Sequence, residues 1–268
     1  GQAPARQAAL GADLPLAAGC TTINKMCGSG MKAVMDAHDQ IKAGSAKIMV
    51  AGGMENMSQS PYLLPKARGG MRMGHGQVID SMFFDGLEDA YEGGLMGSFA
   101  QKSADDFTVT RETMDDFAIE SLTRAKRAIS AGDFEAEIAP VSIKTRSGEQ
   151  LVSIDEQPGN ANMDKIRQLR PAFKKDGTVT AANSSSISDG AAALILMSES
   201  DALARGLTPL ARIVGHSTHA QKPAEFTIAP IGSIQKLLHN IGWSKEQVDL
   251  YAINEAFAVV TLLAIQEL

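Results

Sequence analysis

Cysteine is scarce in this sequence: two residues in 268, Cys20 and Cys27. Neither belongs to a CxxC pair or to a Cys/His set at ligand spacing, so no metal is expected. Two thiols make no disulfide framework, which points to a reducing compartment and a cytoplasmic location. Positive charge is also short. There are 25 Lys and Arg against 31 Asp and Glu, a formal net charge of −6. That balance leaves no basic face for a nucleic-acid backbone, and no nucleic-acid partner is expected. Long apolar runs are missing as well. The longest, 191–197, has the length of a strand and not of a membrane span, so no membrane partner is expected. The opening residues lack the basic-then-apolar pattern of a signal peptide. Gly1 in place of a Met, and an apolar run that reaches Leu268 without a C-cap glycine, read as part of a longer chain.

What is present is ordinary globular composition, 44% hydrophobic and 21% charged, with length for one large domain or two smaller ones. A short strand end at 21–23 leads to a turn at Gly28-Ser29-Gly30. A helix follows, with Met31, Val34, Met35 and Ile41 on one face and Gly44 closing it. "KIMVAGG" (47–53) reads as a buried strand. Strand, helix and strand in that order predict a parallel α/β sheet. From 54 to 109 periodicity is poor and Met and Gly are frequent, so a long surface excursion is expected. Thr110 is placed to N-cap a helix whose apolar stripe is Met114, Phe117, Ala118, Leu122, Ala125 and Ile129, with Gly132 as its stop. Short strands and turns are expected over 137–183. Strands are expected at 188–200, followed by a short helix ending near Gly206, and at 210–217 and 248–254. A helix is expected between Ser233 and Gly242, and another along "NEAFAVVTLLAIQEL".

Cys27 stands directly before the Gly28-Ser29-Gly30 turn and the following helix. A thiol reacts as its thiolate, and a helix N-terminus favours that form. Glycines beside it let a bulky thioester approach the backbone. The competing reading is a buried structural cysteine, and local context leaves both open. "CGSGM" lacks the second Cys and the aromatic of the papain pattern, and the serine-hydrolase elbow would need Gly at 27. Gly28-x-Gly30-x-x-Ala33 fits a dinucleotide fingerprint, a lone match that would make the chain a nicotinamide-dependent oxidoreductase.

Five motifs in order, "NKMCGSGMKAV", "VAGGMENMS", "LRPAF", "TVTAANSSSISDGAA" and "INEAFA", resemble those of the thiolases, and most closely the acetyl-CoA acetyltransferase branch. The resemblance covers essentially the whole chain. It implies an α/β fold of layered α-β-α-β-α type, built of two pseudo-symmetric halves with an inserted loop domain. The N-terminal half would be 1–58 with 187–208, the insertion 59–186, and the C-terminal half would begin at 209. The implied activity is acyl transfer between acyl-CoA thioesters: reversible Claisen condensation of two acetyl-CoA, or thiolysis of a 3-ketoacyl-CoA. The alternative is a non-catalytic, thiolase-like CoA-binding or assembly protein.

By the same resemblance Cys27 matches the nucleophile and Asn254 the asparagine that fixes a water in an oxyanion hole. Arg170, Ala181 and Ser185 match the CoA tunnel, Ala256 and Phe257 its pantetheine wall, and Met96 the acyl pocket. Leu95 stands where many acetoacetyl-CoA thiolases carry His. No permanent cofactor is implied, only coenzyme A and acetyl-CoA as substrates. "GGMRMGHGQVIDSMFFDGLEDA" resembles the loop that joins dimers in the tetrameric branch, implying a homotetramer. Glu55 and Asn56 read as structural, and His75 as a loop residue. The histidine of a G-H-P motif and the cysteine of a C-x-G-G motif, which the family mechanism uses, do not occur in these 268 residues.

Overall fold

A computed structural model describes residues 1–268. In chain order, α1 (Pro4–Gly11) is followed by α2 (Ser29–Lys42) and β1 (Ile48–Asn56). A small ladder of β2 (Tyr62–Leu63) and β3 (Ile79–Asp80) then leads to α3 (Met96–Asp106) and α4 (Arg111–Ala131). The hairpin of β4 (Val141–Thr145) and β5 (Gly148–Val152) precedes the short α5 (Glu156–Asn160). β6 (Asp189–Met197) and α6 (Glu199–Ala204) come next, and α7 (Ala229–Ile241) and α8 (Ala258–Glu267) complete the set. The chain divides into two compact units, Gly1–Gly86 with Ile187–His216, and Leu87–Ser186 with Ser217–Leu268.

The first unit is α2 laid on a two-stranded ladder. β1 and β6 pair antiparallel, from Ile48 opposite Met197 to Asn56 opposite Asp189. The expectation of a parallel sheet is corrected here. It required a strand at 21–23 ahead of α2, and none forms there. The partner of β1 is instead a segment that returns more than a hundred residues later and enters beside the end of β1. Ser58 fixes that end by donating its backbone N–H (2.9 Å) and its hydroxyl to the carboxylate of Asp189.

Helix and ladder approach closely because glycines face each other. A Cβ on Gly53 would lie 3.3 Å from the Cα of Gly30 of the helix; Gly52 instead clears the partner strand, where a Cβ would lie 2.1 Å from the carbonyl oxygen of Ala192. Of the apolar face expected on α2, Met35 is buried and Val34 and Ile41 are half-buried. Met31 is 69% exposed, at the start of the helix.

The second unit holds the larger core. Ala100 and Ala104 of α3, Met114 of α4, and Val259, Val260 and Leu263 of α8 cluster with Val109, Val179 and Ala258. Met114, Leu263, Val179 and Val259 are essentially inaccessible to water. Full burial of such side chains contributes about 1.5–3 kcal/mol each. α8 is apolar on all sides, the pattern of a helix that is buried and not surface-lying. Ala258, Val259, Val260, Thr261, Leu263 and Ala264 are buried, and only the last turn, Ile265 to Glu267, is exposed.

α4 begins and ends where local chemistry dictates. The Thr110 side chain accepts from the N–H of Thr113, and Gly132 takes φ 71° at the C-terminus. Residues 210–217 and 248–254 form no strand, contrary to expectation. Their β-branched and aromatic content suits a ladder, but a strand exists only where a second segment pairs with it. α7 starts four residues earlier than expected, at Ala229, and Pro230 occupies its first turn, where a missing N–H costs nothing. α3 lies inside the stretch read as an irregular excursion. It buries Phe99, Ala100, Gln101, Ser103 and Ala104.

Candidate active site

Cys27 lies in the first unit, exposed and unpaired, one residue ahead of the Gly28 N-cap of α2. The competing reading of a buried structural cysteine is therefore set aside. The turn that carries it is tied down by its own side chains. Asn24 Oδ1 accepts from the N–H of Met26 at 2.8 Å. Ser29 Oγ accepts from the N–H of Lys25 at 2.8 Å and donates to the carbonyl of Met26 at 2.7 Å. Gly28 N–H closes the turn onto the carbonyl of Lys25 at 3.0 Å.

The residue preceding Cys27 bears the strain. Met26 sits at φ 49°, in the left-handed region. For a side chain with a Cβ that conformation costs about 1–2 kcal/mol. Strain of this kind persists where the surroundings over-determine it, and such places cluster at functional sites. Here the three side-chain bonds over-determine it, and the thiol is held at the mouth of the helix.

The dinucleotide fingerprint fails on context. It needs a strand immediately before Gly28, and residues 21–27 carry only an isolated bridge. Gly30 serves a different purpose, the close approach of α2 to Gly52 and Gly53. Glu55 and Asn56 form the exposed end of β1, and Asn56 Oδ1 lies 3.2 Å from the Ser58 hydroxyl oxygen. His75 lies exposed in the loop between β2 and β3.

The other expected site residues all lie in the second unit, and several are brought together. Ser185 donates its N–H to the carbonyl of Ala256 at 3.0 Å and its hydroxyl to the carbonyl of Glu255 at 2.6 Å. Phe257 bridges to Ser184 and packs edge-on to Phe173, with ring centroids 6.3 Å apart. Ala258 N–H completes the strip by donating to the carbonyl of Asn183 at 2.9 Å. Segments 183–185 and 255–258 thus form one small backbone surface. Asn254 precedes it and is exposed. It is not the N-cap of α8, a role it could have filled, because that position is Phe257.

Leu95 is the N-cap of α3 and Met96 its first residue, both half-buried. Next to them Gly97 leaves room for the Phe173 ring, which a Cβ there would meet at 2.1 Å. Arg170 and Ala181 are exposed. They flank a stretch whose backbone closes on itself through Ala172 N–H to the carbonyl of Val179, at 2.9 Å.

Sequence reasoning missed the groups that hold this surface in place. Asp115, 1% exposed, accepts from Arg111 Nε at 2.6 Å and from Asn183 Nδ2 at 3.0 Å. Asn183 in turn accepts from the N–H of Thr180 at 2.8 Å. Arg111 Nη2 also donates to the carbonyls of Ile166 and Leu169, the latter immediately before Arg170. Buried Gln101 receives the N–H groups of Thr178 and Val179 on one oxygen, at 2.8 and 2.9 Å. Glu255 accepts from the Ser121 hydroxyl at 2.8 Å. A charged Asp within the apolar stripe of α4 was the available signal. A carboxylate there must be paired if it is buried.

Two family models match the chain, the thiolase N-terminal domain over residues 1–200 and the thiolase C-terminal domain over residues 207–268. The chain belongs to the thiolase family. Acetyl-CoA acetyltransferase 2 of Arabidopsis thaliana is 51% identical over 98% of this chain and 66% of its own length. Acetyl-CoA acetyltransferase of Pseudomonas aeruginosa is 46% identical over 100% of this chain and 69% of its own. Among solved structures, the Bacillus anthracis acetyl-CoA acetyltransferase superposes with a TM-score of 0.95 at 42% identity, covering 99% of this chain and 68% of that one. The Ascaris suum Acat5 thiolase, solved in complex with coenzyme A, gives 0.93 at 38% identity, covering 100% and 68%. The chain therefore spans about two thirds of the length of these thiolases, and the thiolase-like α/β fold is shared with them. No helix is long and apolar enough to cross a membrane.

Proposed function

We propose that this thiolase chain carries the acyl-accepting part of an acetyl-CoA acetyltransferase. In this reading the Cys27 thiolate attacks the carbonyl carbon of acetyl-CoA. The bond from that carbon to the CoA sulfur breaks, CoA leaves and takes up a proton, and the acetyl group stays on Cys27 as a thioester. The Cys27 backbone N–H helps hold the developing oxyanion. Asn254 positions a water that polarises the carbonyl of the second acetyl-CoA; its α-carbon gives up a proton to a base from solvent and bonds to the acetyl carbonyl carbon, while the bond from that carbon to the Cys27 sulfur breaks and the thiolate is restored. Run in reverse, the same steps cleave acetoacetyl-CoA.

Arg170, Ala181, Ser185, Ala256 and Phe257 line the path of CoA, and Met96 shapes the acyl pocket. Leu95 in place of His removes a polar contact to the pantetheine. The proposed division is an N-terminal half of 1–58 with 187–208, a loop domain of 59–186 and a C-terminal half from 209. A homotetramer in the cytoplasm, acting in lipid metabolism, completes the proposal.

The observation that carries it is the exposed Cys27 thiol on a strained, hydrogen-bonded turn at the start of α2. The relatives' names and the CoA-bound neighbour support the choice of substrate. The test reads the first half-reaction alone, because the G-H-P and C-x-G-G motifs do not occur in these residues. Loss of a general base slows such a step about 10²- to 10⁴-fold. A Cys20→Ser background leaves Cys27 as the single thiol, and mildly alkaline buffer stands in for the base. Mixing the protein with acetyl-CoA under those conditions should release one equivalent of free CoA per chain, read by chromatography. Release at the rate of buffer alone refutes the proposal.

A further inference from the structure

Outside the proposed acyl-transfer site, three ligand-type side chains of the first unit converge on one point. His38 and Asp39 lie near the C-terminal end of α2, and His216 is the last residue of that unit. His38 Nδ1 lies 2.9 Å and His216 Nε2 2.8 Å from the same oxygen, Asp39 Oδ1. The two rings stand edge to face at 5.2 Å, and the three candidate donor atoms lie within 4.8 Å of one another. The imidazoles are mostly covered, at 15% and 27% side-chain exposure, while the carboxylate is 56% exposed and open to water.

We propose that His38, Asp39 and His216 form a binding site for one divalent first-row transition ion, with Zn²⁺ as its representative. Two imidazoles and a carboxylate select this class over Mg²⁺ and Ca²⁺, which take oxygen ligands. Bonds of about 2.05 Å in a tetrahedral site put neighbouring donors about 3.3 Å apart. The His–Asp separations of 2.9 and 2.8 Å lie close to that spacing, and the two imidazole nitrogens, within 4.8 Å of each other, reach it by rotation of the side chains. Binding requires a tautomer change: the protons on His38 Nδ1 and His216 Nε2 move to the opposite ring nitrogens through solvent, and each freed lone pair faces the ion.

Eleven residues separate His38 from Cys27, about 16 Å along a helix axis, so the ion would not touch the thiol. Its effect is structural. It joins α2 to the segment that ends at His216, two pieces 177 residues apart in sequence. Spacing along the chain could not have shown this, which is why no metal was expected from sequence.

The test uses Zn²⁺ itself, in a Cys20→Ser/Cys27→Ser background that removes thiolate binding. Calorimetry should show one Zn²⁺ per chain. Asp39→Asn and His216→Gln should each weaken it at least about 10-fold, the lower range for disturbing a metal's ligand environment. Tm should rise with Zn²⁺ in the parent and not in either variant. Should a variant fail to fold, ring ¹⁵N spectra of the parent decide. The chain has five histidines, and only His38 and His216 should shift. No uptake at about 1 mM Zn²⁺, a bound state worth less than about 4 kcal/mol, overturns the proposal. So does uptake that the substitutions leave intact, or a shift confined to His75, His219 or His239.

Discussion

Removing the Asp115 carboxylate should both destabilise the second unit and loosen the surface that carries Ser185. Asp115→Ala deletes two hydrogen bonds to a buried charge, from Arg111 Nε at 2.6 Å and Asn183 Nδ2 at 3.0 Å. Bonds of that kind contribute about 1.5–3 kcal/mol each, and breaking a buried pair costs about 3–5 kcal/mol. Neither donor is left wholly bare. Arg111 keeps the carbonyls of Ile166 and Leu169, and Asn183 keeps the carbonyl of Thr178 at 3.1 Å. The Arg111 side chain is also 24% exposed, so water reaches part of it. The cost should therefore fall at the lower end, about 3 kcal/mol. Trp243 is the single tryptophan and lies in the second unit, so urea unfolding followed by its fluorescence reads the right part of the chain. The midpoint should drop with the slope m unchanged. An Asp115→Ala/Asn183→Ala double-mutant cycle should show coupling of about 0.5–3 kcal/mol. A loss below about 1 kcal/mol, the net contribution of one ordinary hydrogen bond, would refute the reasoning.

Gly52→Ala should destabilise the β1–β6 ladder, since its Cβ would lie 2.1 Å from the Ala192 carbonyl oxygen; amide exchange along β1 should speed up, whereas Gly86→Ala, with nothing near, should leave it unchanged. Thr110→Ala should cost about 1 kcal/mol through loss of the α4 cap, read by the same urea titration. Asp189 is held below the ordinary carboxylate value of 3.8 by the hydroxyl and backbone N–H of Ser58. A folded pKa below the unfolded one gives stability that is present above the unfolded value and lost as pH falls through the folded one. Ser58→Ala should raise the Asp189 pKa in an NMR titration and shrink that acid-side loss.

Signals confined to a few neighbouring residues were legible in the sequence. Thr110 and Gly132 bound α4 because capping depends on bonds within one turn. Cys27 before Gly28 was legible for the same reason. α3 also left a trace, with Met96, Phe99, Ala100, Ser103 and Ala104 recurring at helical spacing, but the surrounding glycines obscured it. Pairing choices were not legible. That β1 takes β6 antiparallel depends on where the chain returns after a long excursion. Asp115 with Asn183 and Asp39 with His216 are likewise contacts between segments 68 and 177 residues apart, which no local spacing encodes. The glycine motifs around 30 and 52 were visible as sequence, yet their shared purpose, close packing of helix on strand, emerged only from the fold.

Intact mass spectrometry of the protein after brief exposure to acetyl-CoA, beside Cys27→Ser, bears most directly on the role of Cys27. One acetyl group gained by the parent and none by the variant is the predicted result, and it would make Cys27 the acyl carrier. An unmodified parent, folded and still binding CoA, would contradict it, as would an adduct that persists in Cys27→Ser.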